Sequence, residues 1–140
     1  MSTNILQVRE FFHLEFLRFL VRKIPPASFA VKGGANLRFF FASNRYSEDI
    51  DLDVSDVPVH VLRDGVMSIL ESSGLTDTLR TQGIVRIRPP DMTRAKQTET
   101  VQRFKLHLFT PAGEDLSTKV EFSRRGLDAP IRAEPVHPAV

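Results

Sequence analysis

The chain has 140 residues, 41% of them hydrophobic, with 19 Lys and Arg against 17 Asp and Glu and no Cys. That length is one domain with room for a core, and a cysteine-free chain excludes disulfides and thiolate metal sites and fits a reducing cytoplasm. No apolar run reaches the roughly 18 residues of a membrane span, and the start "MSTNILQVRE" lacks the basic-then-apolar order of a secretory signal.

In chain order, residues 4–24, "NILQVREFFHLEFLRFLVRKI", carry apolar residues at helical spacing with some to spare and predict an amphipathic to buried helix, stopped by Pro25-Pro26. "SFAVKGG" predicts a short buried strand entering a glycine turn, and "ANLRFFFA" a second helix. "SEDIDLDV" alternates strictly and predicts a strand. "PVHVLRDGVMSILESSG" predicts one helix with Gly74 at its end, and "GIVRIR" a strand. "PPDMTRAKQTE" is expected to be a mobile polar loop. "TVQRFKLHLF" and "LSTKVEFS" predict two strands around a turn at "TPAGED". The order α-β-α-β-α-β-β-β places the chain in the α+β class, a mixed, twisted sheet with helices packed on it. Residues 1–128 are expected to form this core. Residues 129–140, with three Pro, are expected to be a linker leading to a helical C-terminal domain.

Charge is uneven along the chain. Residues 1–79 hold 8 basic against 10 acidic side chains, and residues 80–140 hold 11 against 7. The basic half, with Arg86, Arg88, Arg94, Lys96, Arg124 and Arg125, is either a solvated surface or a face for a polyanion.

The chemistry concentrates at Asp49, Asp51 and Asp53, which alternate with Ile50, Leu52 and Val54. Side chains at i and i+2 of a strand share a face about 7 Å apart, so Asp49 and Asp51 can converge on one cation while the apolar residues anchor the other face. A hard cation such as magnesium takes one or two carboxylates, waters and substrate phosphates. An EF-hand loop is excluded, because Val54 stands where its glycine belongs and His60 where its glutamate belongs. The competing structural reading is an edge strand guarded by charge. Upstream, Gly33 and Gly34 form a turn that opens a helix, where free N–H groups and the positive dipole end suit a phosphate. Downstream, Lys119 and Glu121 alternate with Thr118, Val120 and Phe122, so they share a polar strand face; Lys119 suits a phosphate, and Glu121 a metal or a proton. The four His residues lack ligand spacing, and His107 reads as structural.

The run "KGGANLRFFFASNRYSEDIDLDV" resembles the signature of the AbiEii-type nucleotidyltransferases, toxin halves of abortive-infection, type IV toxin–antitoxin systems within the polymerase-beta-like superfamily. Gly33, Gly34, Arg38, Arg45, Ser47, Asp49 and Asp51 match that pattern in order, and Lys119 and Glu121 match its later Lys-x-acidic pair. Ala35 stands where the family often has Thr or Ser. The resemblance implies a nucleotidyltransferase fold and transfer of a nucleoside monophosphate from an NTP, with Mg2+, to an acceptor, for several relatives the 3′ end of tRNA. A cognate antitoxin protein is implied as a partner, and no membrane. It further implies that Asp49, Asp51 and Glu121 ligate metal, with Glu121 alternatively the base. Lys32, Gly33, Gly34, Arg38, Arg45 and Ser47 are implied to hold the nucleotide. Two other functions stay open on the residues alone: a non-catalytic nucleotide- or partner-binding module, including an inactive truncated domain, and a metal-dependent nuclease. A triphosphate cradle at Gly33-Gly34 has no use in a nuclease.

Overall fold

The computed structural model describes residues 5–32 and 49–124. Helix α1 (Ile5–Lys23) leads through a 3-10 turn at Pro26–Ser28 into strand β1 (Phe29–Val31). Then follow β2 (Asp49–Val54), helices α2 (Val59–Leu70) and α3 (Ser73–Arg80), and strands β3 (Arg86–Arg88), β4 (Val101–Phe109) and β5 (Asp115–Arg124). The five strands form one mixed sheet in the order β1-β2-β5-β4-β3. Only the β2–β5 pair is parallel among these strands.

Strict alternation on β2, β4 and β5 divides the sheet into two faces. Ile50, Leu52, Val54, Phe104, Leu106, Leu108, Leu116, Val120 and Phe122 are buried on one of them, where α1, α2 and α3 supply Phe12, Phe16, Leu20, Leu62, Val66, Ile69, Leu75 and Leu79. The other face carries the charged residues. Fully burying one such side chain is worth about 1.5–3 kcal/mol, so the helical side supplies the stability and the polar face is free to serve chemistry.

The first helix, β1, β2, β4 and β5 form where the pattern predicted them, whereas the predicted helix "ANLRFFFA" lies outside the described residues. Two expectations are corrected. The single helix ending at Gly74 is in fact two. Glu71 closes α2, and Ser72 caps α3, its hydroxyl accepting from the Leu75 N–H at 3.2 Å and donating to the Ile69 carbonyl at 2.8 Å. Gly74 lies in the first turn of α3, where a Cβ would stand 3.4 Å from the Phe19 ring, so its small size permits close packing against α1. The loop after β3 is tied down rather than mobile. The Arg103 N–H donates to the Lys96 carbonyl at 2.8 Å, Gln97 pairs with Gln102 as an isolated bridge, and the Gln97 side chain donates to the Arg103 carbonyl at 3.1 Å.

Helix α1 is buried on most sides, which forces polar groups inside. His13 is 1% exposed and its Nε2 lies 2.8 Å from the Thr118 hydroxyl on β5, while Nδ1 has no hydrogen-bond partner. Burial, reinforced by the Arg9 charge, lowers the His13 pKa from 6.5 to about 3. The unfolded chain therefore binds a proton that the native state refuses, so stability is lost as pH falls from 6.5 toward 3, at ~1.4 kcal/mol per pH unit. Urea denaturation at pH 7 and pH 4.5 is expected to show this acid loss in the wild type and to show it reduced in His13→Gln, which keeps a partner for Thr118. Equal acid loss in both proteins would show that other groups control it.

Candidate active site

Parallel pairing of β2 with β5 sets the site. Asp49 stands beside Lys119, Asp51 beside Glu121 and Asp53 beside Ser123, all six on the polar face. Neighbouring strands lie about 4.8 Å apart, so carboxylates from two strands meet there. The antiparallel β4 continues the face, with Arg103 beside Glu121 and Lys105 beside Lys119. Lys32, just past β1, donates its backbone N–H to the Asp51 carbonyl at 3.0 Å, and its ammonium donates to the Ser123 hydroxyl at 2.6 Å. Because β2 lies between β1 and β5, that side chain crosses the face on which the aspartates stand.

Of the residues singled out in the sequence, Lys32, Asp49, Asp51, Lys119 and Glu121 come together. Gly33, Gly34, Arg38, Arg45 and Ser47 lie outside the described residues. Asp51 is exposed and Asp49 half-buried, on an inner strand rather than an edge, since β2 is flanked by β1 and β5. The edge-guard explanation of the three aspartates therefore fails.

Two functional neighbours were missed in the sequence. Arg103 donates from Nε to the Glu121 carboxylate at 2.6 Å, with the Lys119 ammonium 3.7 Å from the same oxygen. The Arg103 hydrogen bond, against some desolvation and with help from the Lys119 charge, holds Glu121 below the usual carboxylate range. Glu121 is thus ionised at neutral pH, which suits an electrostatic or ligand role and makes it a weak proton acceptor. Lys105 lies with Asp49, Arg103, Ser117, Thr118 and Lys119 around a pocket of about 450 Å3. The alternation of Arg103, Lys105 and His107 along "QRFKLHLF" is the signal that would have placed both cations on one face.

The residues present fit a hard cation. All carboxylates here are hard oxygen donors of the kind that magnesium prefers. Among the described residues no three His, Asp or Glu side chains stand as a ready group for an ion, because Glu121 is turned to Arg103 and Lys119. Asp49 and Asp51 suit a cation that completes its shell with water and substrate phosphates. Arg103 and Lys119 both meet Glu121 at the same oxygen, Oε2, which leaves its second oxygen for a cation.

Arg124, in the basic half, has structural partners: its guanidinium donates to the Gln102 side chain and to the Val57 carbonyl, and so ties β5 to β4 and to the start of α2. Arg125 lies outside the described residues.

No described helix is long and apolar enough to cross a membrane. The fold is shared with JHP933 from Helicobacter pylori, at 20% identity and a TM-score of 0.53 over 94% of this chain and 48% of that one. It is also shared with MenT4, a nucleotidyltransferase toxin from Mycobacterium tuberculosis, at 19% identity and a TM-score of 0.57 over 88% of this chain and 39% of that one. The chain thus spans half or less of the length of these proteins. Among curated protein sequences none matches it. A family model for the nucleotidyl transferase AbiEii toxin of type IV toxin–antitoxin systems matches residues 16–139, a span that includes both Asp49–Asp51 and Lys119–Glu121. With the mixed sheet and the acidic strand in place, the chain belongs to the AbiEii nucleotidyl transferase toxin family.

Proposed function

We propose that this chain carries the active site of a magnesium-dependent nucleotidyltransferase that moves a nucleoside monophosphate from an NTP to an RNA acceptor, the 3′ end of tRNA, and acts as a toxin restrained by a cognate antitoxin in the cytoplasm. The observation that carries the reading is a pair of aspartates two residues apart on an inner strand, on a face where Lys32, Arg103, Lys105 and Lys119 stand with Asp53 and Glu121. Cations around two carboxylates are what a polyphosphate held through a metal requires.

In this reading Asp49 and Asp51 hold magnesium, which supplies charge neutralisation at the transferring phosphate. Lys32 and Lys119, with Gly33, Gly34, Arg38, Arg45 and Ser47, bind and orient the triphosphate. An acceptor hydroxyl attacks the α-phosphorus and forms the new P–O bond. The bond to the β-phosphate breaks, pyrophosphate leaves with its electron pair, and the hydroxyl proton passes to solvent or to a carboxylate. Glu121, held anionic by the Arg103 hydrogen bond, acts through its charge and would supply a further oxygen to the cation at Asp49 and Asp51.

The test is incubation with each α-labelled NTP, magnesium and total RNA. Label is expected in a small-RNA band with at least one NTP. A chain that binds magnesium–NTP yet labels neither RNA nor protein would favour the non-catalytic nucleotide-binding module.

A further inference from the structure

The cations at the site are not held alike. Arg103 and the Lys119 ammonium share one carboxylate oxygen of Glu121, at 2.6 Å and 3.7 Å. Arg103 also lies in the wall of two pockets, the one at Asp49 and a neighbouring one of about 600 Å3. Lys32 differs from both. Its ammonium donates to a neutral group, the Ser123 hydroxyl at 2.6 Å, and among the described residues it forms no ion pair.

The path of that side chain follows from the registers. In β1, Phe29 and Val31 face the core, so Ala30 and Lys32 face the polar side. Lys32 extends the β1–β2 pairing and stands beside Asp51, whose carbonyl accepts its N–H. Ser123 stands on the other side of β2, beside Asp53. The lysine stem therefore runs obliquely over β2, between the positions of Asp51 and Asp53. Lys32 is exposed, and holding a long, exposed side chain in one extended course costs rotamer entropy. The aspartate row beneath it and the hydroxyl beyond it offset that cost. Asp53, which the metal pair does not require, adds to the negative charge under this path.

What the contact leaves available decides its use. An ammonium has three donors, of which Ser123 takes one, and a hydroxyl leaves the positive charge uncancelled. A carboxylate in that place would neutralise it, as Glu121 does for Arg103. A hydroxyl fixes the ammonium and still leaves its charge to a phosphate oxygen arriving at Asp49 and Asp51.

We infer that Ser123 is a positioning residue: its hydroxyl seats the Lys32 ammonium across β2, where the ammonium balances the aspartate row and receives a phosphate of the nucleotide. That this phosphate belongs to an NTP rests on the nucleotidyltransferase reading.

The test titrates the whole chain with manganese alone, as a spectroscopic probe of the cation site, and separately with each magnesium–NTP. Lys32→Met is expected to tighten bare manganese by about threefold or more, because a like charge leaves the aspartates, and to weaken magnesium–NTP by about tenfold. A residue that served only the fold would shift both affinities the same way. Ser123→Ala is expected to weaken magnesium–NTP by about threefold, and to add nothing further in the Lys32→Met background, since the two act as one unit. Ser123→Thr keeps the hydroxyl and is expected to keep the affinity. In transfer assays the Ser123→Ala loss is expected in KM, with kcat within about twofold of wild type. Wild-type NTP affinity in Ser123→Ala, or the same further loss on top of Lys32→Met, overturns the seat while leaving the nucleotidyltransferase reading intact. Unchanged manganese affinity in Lys32→Met overturns the placement of the ammonium over the aspartates. A wild type that binds manganese and no NTP sinks the nucleotidyltransferase reading, and the role of Ser123 with it.

Discussion

Asp51→Asn is expected to lower nucleotidyl transfer by about 10³-fold or more while leaving the fold in place. Metal-bound charge at a transferring phosphate supplies several kcal/mol, and each 1.36 kcal/mol is a factor of ten in rate. The substitution keeps shape and removes one of two negative ligands. Asp51 is exposed and its backbone carbonyl, not its carboxylate, meets Lys32. Stability is therefore expected to change by no more than about 0.5 kcal/mol. Labelled-NTP transfer and urea denaturation on the same preparations separate the two effects. Near-normal transfer by Asp51→Asn would remove the metal assignment, and a large loss of stability would make β2 a structural strand with incidental charge.

The site was legible because a strand encodes its faces at a period of two. Asp49 and Asp51, and separately Lys119 and Glu121, could each be placed on a polar face from local sequence. That the two faces are one, with Asp51 beside Glu121, needed the parallel β2–β5 pairing across about 70 intervening positions. No local pattern encodes such a pairing. Arg103 was missed for the same reason. Its partner Glu121 lies 18 residues away, and "QRFK" reads in sequence as generic basic character. The break between α2 and α3 was hidden by Gly74, whose usual role past a helix end outweighed a weaker signal. That signal was Ser72 as a cap, with Leu75 and Leu79 four apart as a buried stripe. The loop after β3 misled through composition. Its last residues, Lys96 and Gln97, bond to Gln102 and Arg103 of β4, partners that only the folded sheet makes available.

The Arg103–Glu121 contact connects these strands to the chemistry. A glutamate beside Asp51 raises the cost of holding two negative charges together, and Arg103 offsets it. The same guanidinium lies in the wall of both pockets. In the proposed reading, a phosphate in either pocket would compete with Glu121 for Arg103 and leave Glu121 a stronger attractor for a cation at Asp49 and Asp51, so that anion and metal binding would be coupled in both directions through one side chain.

Phe122→Ala is expected to cost about 3–5 kcal/mol, the range for truncating a fully buried Phe. Phe122 is fully buried on β5, between Leu52 of β2 and Gln102 of β4, with its ring edge-on to Phe104 at 6.0 Å and 90°. Truncation removes a large apolar side chain and leaves a void that the helices can fill only in part. A loss of that size is a large share of the roughly 5–15 kcal/mol that holds a typical domain together. The effect reaches the site because Glu121 and Ser123 are the neighbours of Phe122 in the chain and point the opposite way, so the ring holds the strand that presents them. Phe122→Leu keeps most of the apolar volume and is expected to cost clearly less, with magnesium–NTP affinity close to wild type. Urea midpoints for the three proteins, with NTP titration of the two stable ones, measure this directly. A Phe122→Ala midpoint within about 1 kcal/mol of wild type would mean that β5 is not the strand around which the core is packed, and the registers that bring Glu121 to Asp51 would lose their support.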